Sequence, residues 1–416
     1  MRINANKLQN SILILLFFFI TIWPQVTTLL IILLTIVRIP RLNKEYFISL
    51  LSRKSILLFI LIYFLLVVGV FYTIDLKSGF SKLQTQFSFF IIPFILGGLS
   101  IQKKDRIKYL NFFVFGLIIT IFTCLFHALY LFLKNDSIYV LDKFSRKENI
   151  FFYNTFSGFM DLHPTYLAMY IGLSIMYIII CFRDISILNS SSKVLLIIFL
   201  SITMLLTSSK GAILALIVIL LSWLSFNLFK KKMRIKKVLL VVVSIFIFIA
   251  LFYNTKLYQR YITSFQSINS LLVDNQNINE STSIRFNLWK LSYNVFLNSP
   301  SIGYGTGSVK KVLNDNCLTY FDFSTCEFLR NMNSHNEYIN SLVSNGIIFL
   351  IVFLVVLSFN IVKSYKNSDI LYLSFMVFMV INFLFESILQ RERGIVFFML
   401  MLVLFSISNY DRKELL

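Results

Sequence analysis

Residues 334–362 read SHNEYINSLVSNGIIFLIVFLVVLSFNIV, a polar mouth followed by a long apolar run. A helix crosses a bilayer with about 20 predominantly apolar residues at ~1.5 Å each, so this stretch predicts a membrane span. Ser334 and Glu337 stand in the serine-x-x-glutamate spacing of a capping box. That spacing predicts a helix start with Ser334 as N-cap and His335 in the first turn. Unbonded N–H groups and the positive dipole end point outward there, which disfavours imidazolium and suits an anionic phosphate. A neutral, proton-accepting His335 is therefore expected. Gly346 follows eleven residues later, about three turns on, so the two share a face and another helix can approach closely at the glycine. The plainer alternative is a histidine that merely satisfies a helix end.

The rest of the chain agrees with a membrane protein. Of 416 residues, 57% are hydrophobic, 17% aromatic and only 14% charged, and the mean hydropathy is +0.79. A soluble domain of this composition is excluded. Lys and Arg number 39 against 19 Asp and Glu, a formal charge of +20. Without a nucleic-acid motif, that excess is expected to orient the helices by the positive-inside rule, and nucleic acid is not an expected partner.

Apolar runs predict helices at about 11–22, 25–37, 55–73, 87–101, 110–133, 165–182, 194–207, 211–229, 238–253, 337–362, 370–388 and 394–409. Only Trp23-Pro24 divides the first two, which could be one kinked helix. A count of about twelve fits the charges: loops 38–54, 102–109, 183–193, 230–237 and 363–369 and the tail 410–416 become cytoplasmic, with both termini inside. The basic run Lys230-Lys231-Lys232 with Arg234, Lys236 and Lys237 lies in one of them. On the external side, 254–334 is the one loop long enough to build a small domain. The expected organisation is membrane helices over 1–253, a cap over 254–334, and three further helices and a tail over 335–416. Within the cap, Thr282 to Asn298 reads as an amphipathic helix carrying Arg285 and Trp289, ended by Pro300 and the turn Gly303-Tyr304-Gly305-Thr306-Gly307.

Cys317 and Cys326 share the external loop, and the sequence leaves open a disulfide or two free thiols. The scattered Cys124, Cys181 and three histidines make no zinc pattern, so no metal is expected. His127 reads as a packing residue, and His163, before Pro164, as a helix start with a possible substrate contact. Lys210 interrupts a long apolar stretch in Thr207-Ser208-Ser209-Lys210-Gly211. A cation sunk below the outer surface either snorkels or lines an anion site. Glu386 is expected to pair with Arg391 or Arg393 across the last external turn.

His335-Asn336, nine residues and Gly346 resemble the signature of the O-antigen ligase and polymerase family, as does Ser208-Ser209-Lys210-Gly211 opening a helix. So do Arg285-x-x-x-Trp289, Pro300 and the glycine turn; the likeness covers about 160–400. Lys210 stands where the family usually has arginine, losing the bidentate fork. Ile347, Ile348 and Phe349 follow Gly346 where the ligase pattern tends to a small or hydroxylated residue, which leans toward polymerase.

The resemblance implies an all-α, GT-C-like polytopic protein of the bacterial inner membrane with a large periplasmic loop. It also implies an inverting glycosyltransferase without metal or cofactor. The implied donor is a glycan on undecaprenyl diphosphate, and the implied acceptor is lipid A–core, as in a ligase, or another glycan, as in a polymerase. His335 becomes the general base, with Lys210 and Arg285 holding the diphosphate. His163, Trp289, Gly305 and Asn336 become candidate sugar contacts in the cap. A flippase for lipid-linked glycans is the competing class. It needs neither a large external domain nor a capped histidine, and no paired halves are visible.

Overall fold

Most apolar runs fold as helices near their expected limits in the computed structural model, which describes residues 5–141, 147–229 and 281–408. The expected helix at 238–253, the basic run 230–237, the first part of the cap loop and the tail beyond 408 lie outside the described residues. The first half comprises α1 (Ala5–Phe19), α2 (Pro24–Arg38), α3 (Lys44–Ser52), α4 (Lys54–Val70), α5 (Leu76–Gln86), α6 (Ser88–Leu96) and α7 (Lys103–Asn135). A two-stranded hairpin of β1 (Tyr139–Leu141) and β2 (Lys147–Asn149) follows, then α8 (Tyr153–Ser157), α9 (Pro164–Ile180), α10 (Ser190–Leu206) and α11 (Lys210–Phe229). After these come α12 (Ser281–Leu297), α13 (Val309–Tyr320), α14 (Phe323–Leu329), α15 (Glu337–Lys366), α16 (Ile370–Phe385) and α17 (Glu392–Ile407).

Three helices among the described residues are long and apolar enough to cross a bilayer, at Pro24–Arg41, Lys103–Asn135 and Glu337–Lys366. Counting each sharply bent pair as one span gives up to five, and four shorter apolar helices stand beside them. Between the runs expected at 55–73 and 87–101, Leu76–Gln86 forms a further helix, α5, capped by the Asp75 side chain accepting from Ser78 N.

Helices hydrophobic on every side belong in the middle of a bundle. α9 is buried continuously from Pro164 to Ile178, and α17 from Gly394 to Phe405. Phe397 packs edge-on to Tyr170 at 4.9 Å and against Phe113 and Phe375, joining α7, α9, α16 and α17. The cap has its own small core, in which Leu288, Leu291 and Val295 of α12 meet Val312 and Leu313 of α13 and Val343 of α15. The cysteine question is settled there: Cys317 and Cys326 form a disulfide joining α13 to α14.

Gly346 is not a smooth helical position. At φ 73° and ψ −176° it breaks α15, a conformation that glycine adopts without steric penalty. The break frees backbone groups, and the glycine loop takes them up: Tyr304 N donates to Val343 O, Gly305 N to Ser344 O, and Ile347 N to Pro300 O. The expected close approach therefore exists, but a loop makes it. On its other side that loop seats on α4, where Thr306 donates from N to Gly69 O and from Oγ1 to Leu66 O.

The loops sort to two ends. At one, Arg106 bonds Asp369 through two buried hydrogen bonds of 2.5 and 2.9 Å, Lys103 pairs with Asp184, and Lys363 reaches Ser55. Every loop joined there is among those the charge pattern groups together. At the opposite end lie α5, the glycine loop, the start of α15 and residues 386–391.

Candidate functional site

That second end builds its site around the start of α15. The Asn336 side chain caps the helix, accepting from Tyr338 N and Ile339 N, while its backbone N donates to Ser387 Oγ. The expected capping box is thus displaced. Asn336, not Ser334, is the N-cap, and Glu337 accepts from Leu389 N and Gln390 Nε2 instead of reaching back. The Asn336 side-chain oxygen is thus occupied as a cap. Ser334 is buried and bonds Ser292 of α12.

His335 consequently lies outside the helix, at φ 45°, with its N–H donating to Asn333 Oδ1. A left-handed non-glycine residue stores strain of order 1 kcal/mol or more, and such residues cluster at functional sites. The helix dipole does not set the ring's state, because a carboxylate is its neighbour. Nδ1 lies 2.9 Å from Glu386 Oε1. Glu386, just past α16, is 8% exposed, and its other oxygen lies 3.5 Å from Arg285 Nη2 as an ion pair without hydrogen-bond geometry. Burial would raise this carboxyl; the hydrogen bond from His335 and the charge of Arg285 outweigh it and hold it at about 2. An ionised carboxylate only accepts, so Nδ1 carries the proton, and in the neutral ring Nε2 carries the lone pair. Glu386 was expected to pair with Arg391 or Arg393; it pairs with His335 and Arg285 instead, and Arg393 donates to Met160 O.

Arg285 also lines a narrow cleft with Lys210, Ser208, Ser209, Asn382 and Phe385. The cleft holds about 20 Å³, room for roughly one water. Lys210 opens α11 after Ser208, itself left-handed at φ 51°, and its Nζ lies 3.5 Å from Thr282 Oγ1. Ser208 Oγ and Asn382 Oδ1, both buried, have no hydrogen-bond partner among the described residues, which is the condition of a site awaiting a polar ligand. Lys210, Arg285, Glu386 and His335 thus form one contiguous group.

His163 caps α9, its Nδ1 accepting from Thr165 N at 3.3 Å. Burial pushes it down to about 4, so the ring is neutral near pH 7. Trp289 lies one turn after Arg285 on α12, its buried Nε1 without a partner among the described residues. Gly305, at φ 90°, is packed so that a Cβ there would meet Thr73 Cα at 2.3 Å. That is a close-packed position against Thr73 and Gly69. Sequence reasoning gave Glu386 other partners, named Ser208 only as part of a motif, and passed over Asn382. A carboxylate at the end of an apolar helix was the available signal for the first.

Residues 195–354 match the family model described as O-antigen ligase. No curated protein matches the chain. The matched segment holds Lys210, Arg285, His335 and the kink at Gly346. Over that segment the chain is similar to the O-antigen ligase family.

Proposed function

We propose that this protein transfers a glycan from an undecaprenyl-diphosphate donor to an acceptor sugar hydroxyl at the periplasmic face of the inner membrane. The reading rests on one observation: His335 Nδ1 is bonded to Glu386, which is paired with Arg285 beside the Lys210 cleft. His335 Nε2 takes the proton of the acceptor hydroxyl as its oxygen attacks the anomeric carbon. The bond from that carbon to the diphosphate oxygen breaks, and its electron pair leaves with the diphosphate. Lys210 and Arg285 receive the growing negative charge, and attack from the opposite face inverts the centre. Glu386 holds the imidazole in the tautomer that leaves Nε2 basic, and stabilises the imidazolium that forms. A diphosphate needs more room than one water, so donor entry widens the cleft between α11 and α12. Trp289, one turn from Arg285 and with its Nε1 unpartnered among the described residues, is the residue we assign to the first sugar.

The test is transfer by purified protein from a lipid-linked donor, read as free undecaprenyl diphosphate and extended glycan. Lys210→Ala and Arg285→Ala should each lower turnover by about 10²-fold or more, the scale of losing one fixed charge-stabilising group. Translocation without a new covalent product would replace this reading with a flippase. In cells, full-length polymer stranded on the carrier after gene deletion identifies a ligase, and single repeat units on core identify a polymerase.

A further inference from the structure

A second space adjoins the same histidine. A cavity of about 670 Å³ is lined by Asn333 and Glu337, which flank His335, and by Leu389, Gln390 and Arg391, which follow Glu386. The Lys210 cleft is lined by Asn382 and Phe385, which precede Glu386, and the two spaces share no lining residue. Asn333, in the wall of the larger cavity, accepts from His335 N, and Arg285, in the wall of the cleft, pairs with Glu386.

The cavity's chemistry is distinctive. Lys77, Lys82, Lys310, Lys311 and Arg391 line it against Asp75, Asp315 and Glu337. Two of those carboxylates are already engaged, Asp75 in capping α5 and Glu337 with Leu389 N and Gln390 Nε2. So are two of the cations, Lys82 donating to Gln390 O and Lys311 to Ile74 O, which leaves Lys77, Lys310 and Arg391 against Asp315. Side-chain amides and hydroxyls, among them Asn314, Asn340, Asn345, Ser341 and Thr85, fill much of the remaining wall, the donors and acceptors a polyol needs. Gln86 lines it too. It is 3% exposed, its Nε2 donates to Leu389 O, and its Oε1 has no hydrogen-bond partner among the described residues. A buried acceptor without a partner costs about 1–3 kcal/mol unless a ligand or water satisfies it. Phe89, Phe349 and Phe353 give the cavity an aromatic floor. The volume falls within the ~300–1,000 Å³ usual for ligand sites.

We propose that this cavity seats the acceptor, and that the acceptor is an anionic glycan, one bearing carboxylate or phosphate groups on its sugars. The inference rests on the transferase reading for its word acceptor, but the binding it asserts is independent of turnover. Donor diphosphate and acceptor then occupy two separate spaces, each walled by a residue bonded or paired to the His335–Glu386 unit.

The experiment is calorimetric titration of the full-length protein in phosphatidylcholine nanodiscs with trigalacturonate, and with maltotriose as a neutral control. Trigalacturonate is expected to bind at least tenfold more tightly than maltotriose. The double variant Lys310→Ala/Lys311→Ala, at two exposed positions of α13 that folding tolerates, is expected to weaken it tenfold or more. Lys210→Ala should leave it within twofold. Equal affinity for both sugars, no binding of trigalacturonate at millimolar concentration, or indifference to the lysine pair overturns the proposal. Loss of binding in Lys210→Ala places the anion in the other cleft and also overturns it. Abolition in phosphatidylglycerol nanodiscs means an anionic lipid is the occupant, with the same consequence. Because no turnover is read, a dead His335→Ala enzyme with intact trigalacturonate binding separates this inference from the mechanism.

Discussion

In the proposed mechanism His335 acts through the nitrogen its carboxylate partner leaves open. Glu386→Gln keeps the shape but removes the charge that fixes the tautomer and supports imidazolium. Turnover is expected to fall at least tenfold with donor KM little changed, read from steady-state transfer. His163 supplies a separate pH signature. Its folded value, about 4, lies below the ordinary value of about 6.5. The unfolded chain therefore binds more protons between those limits, and stability is full above about 6.5 and lost as pH falls toward 4. The loss should be about 3 kcal/mol, and His163→Gln should abolish that slope in thermal unfolding across the same window. At this scale the sequence was legible where motif spacing is short. His335, Arg285 and Lys210 stand in recognisable local patterns, and the structure brings them into one group. Glu386 did not, because it joins His335 across 51 residues, and two nearby arginines offered a more local partner.

Helices were legible and their interruptions were not. Apolar runs predict where segments cross, but a glycine in a helical pattern reads as a packing position, and only the loop it receives reveals Gly346 as a break. Gly346→Ala would force a left-handed alanine, costing about 1–2 kcal/mol, and would bring a Cβ within 2.2 Å of Ser301 O. The variant should lose 3 kcal/mol or more, or fail to accumulate, as measured by thermal unfolding in detergent. The capping box failed for a related reason: Asn336 outcompetes Ser334 once Ser292 engages the serine. At the other end of the bundle, Asp369→Ala would strand Arg106 in a buried position. Breaking such a pair costs about 3–5 kcal/mol, and Asp369→Asn should recover part of it by keeping the Tyr372 cap.

Across the whole molecule, charge bias and contact pattern converge. Loops grouped by their lysines and arginines meet at one end through Arg106–Asp369, Lys103–Asp184 and Lys363–Ser55, whereas the cap, both cavities and His335 occupy the other. A single cysteine at the exposed Lys311 position should react with a membrane-impermeant thiol reagent once the outer membrane is permeabilised, and one at Lys108 only after the inner membrane is broken. Labelling of both from the same side would reverse the topology. The cap's separate core and the cavity beneath it had no sequence signature, since they arise where α5, the glycine loop and α15 converge from distant parts of the chain.

Single-turnover transfer by His335→Gln, with donor saturating and donor binding measured in parallel, tests the mechanism most directly. The expected result is transfer slowed at least 10²-fold, the usual worth of a general base, with donor affinity within threefold of the unaltered protein. Transfer within threefold of the unaltered rate would contradict it, because the proton would then leave by another route.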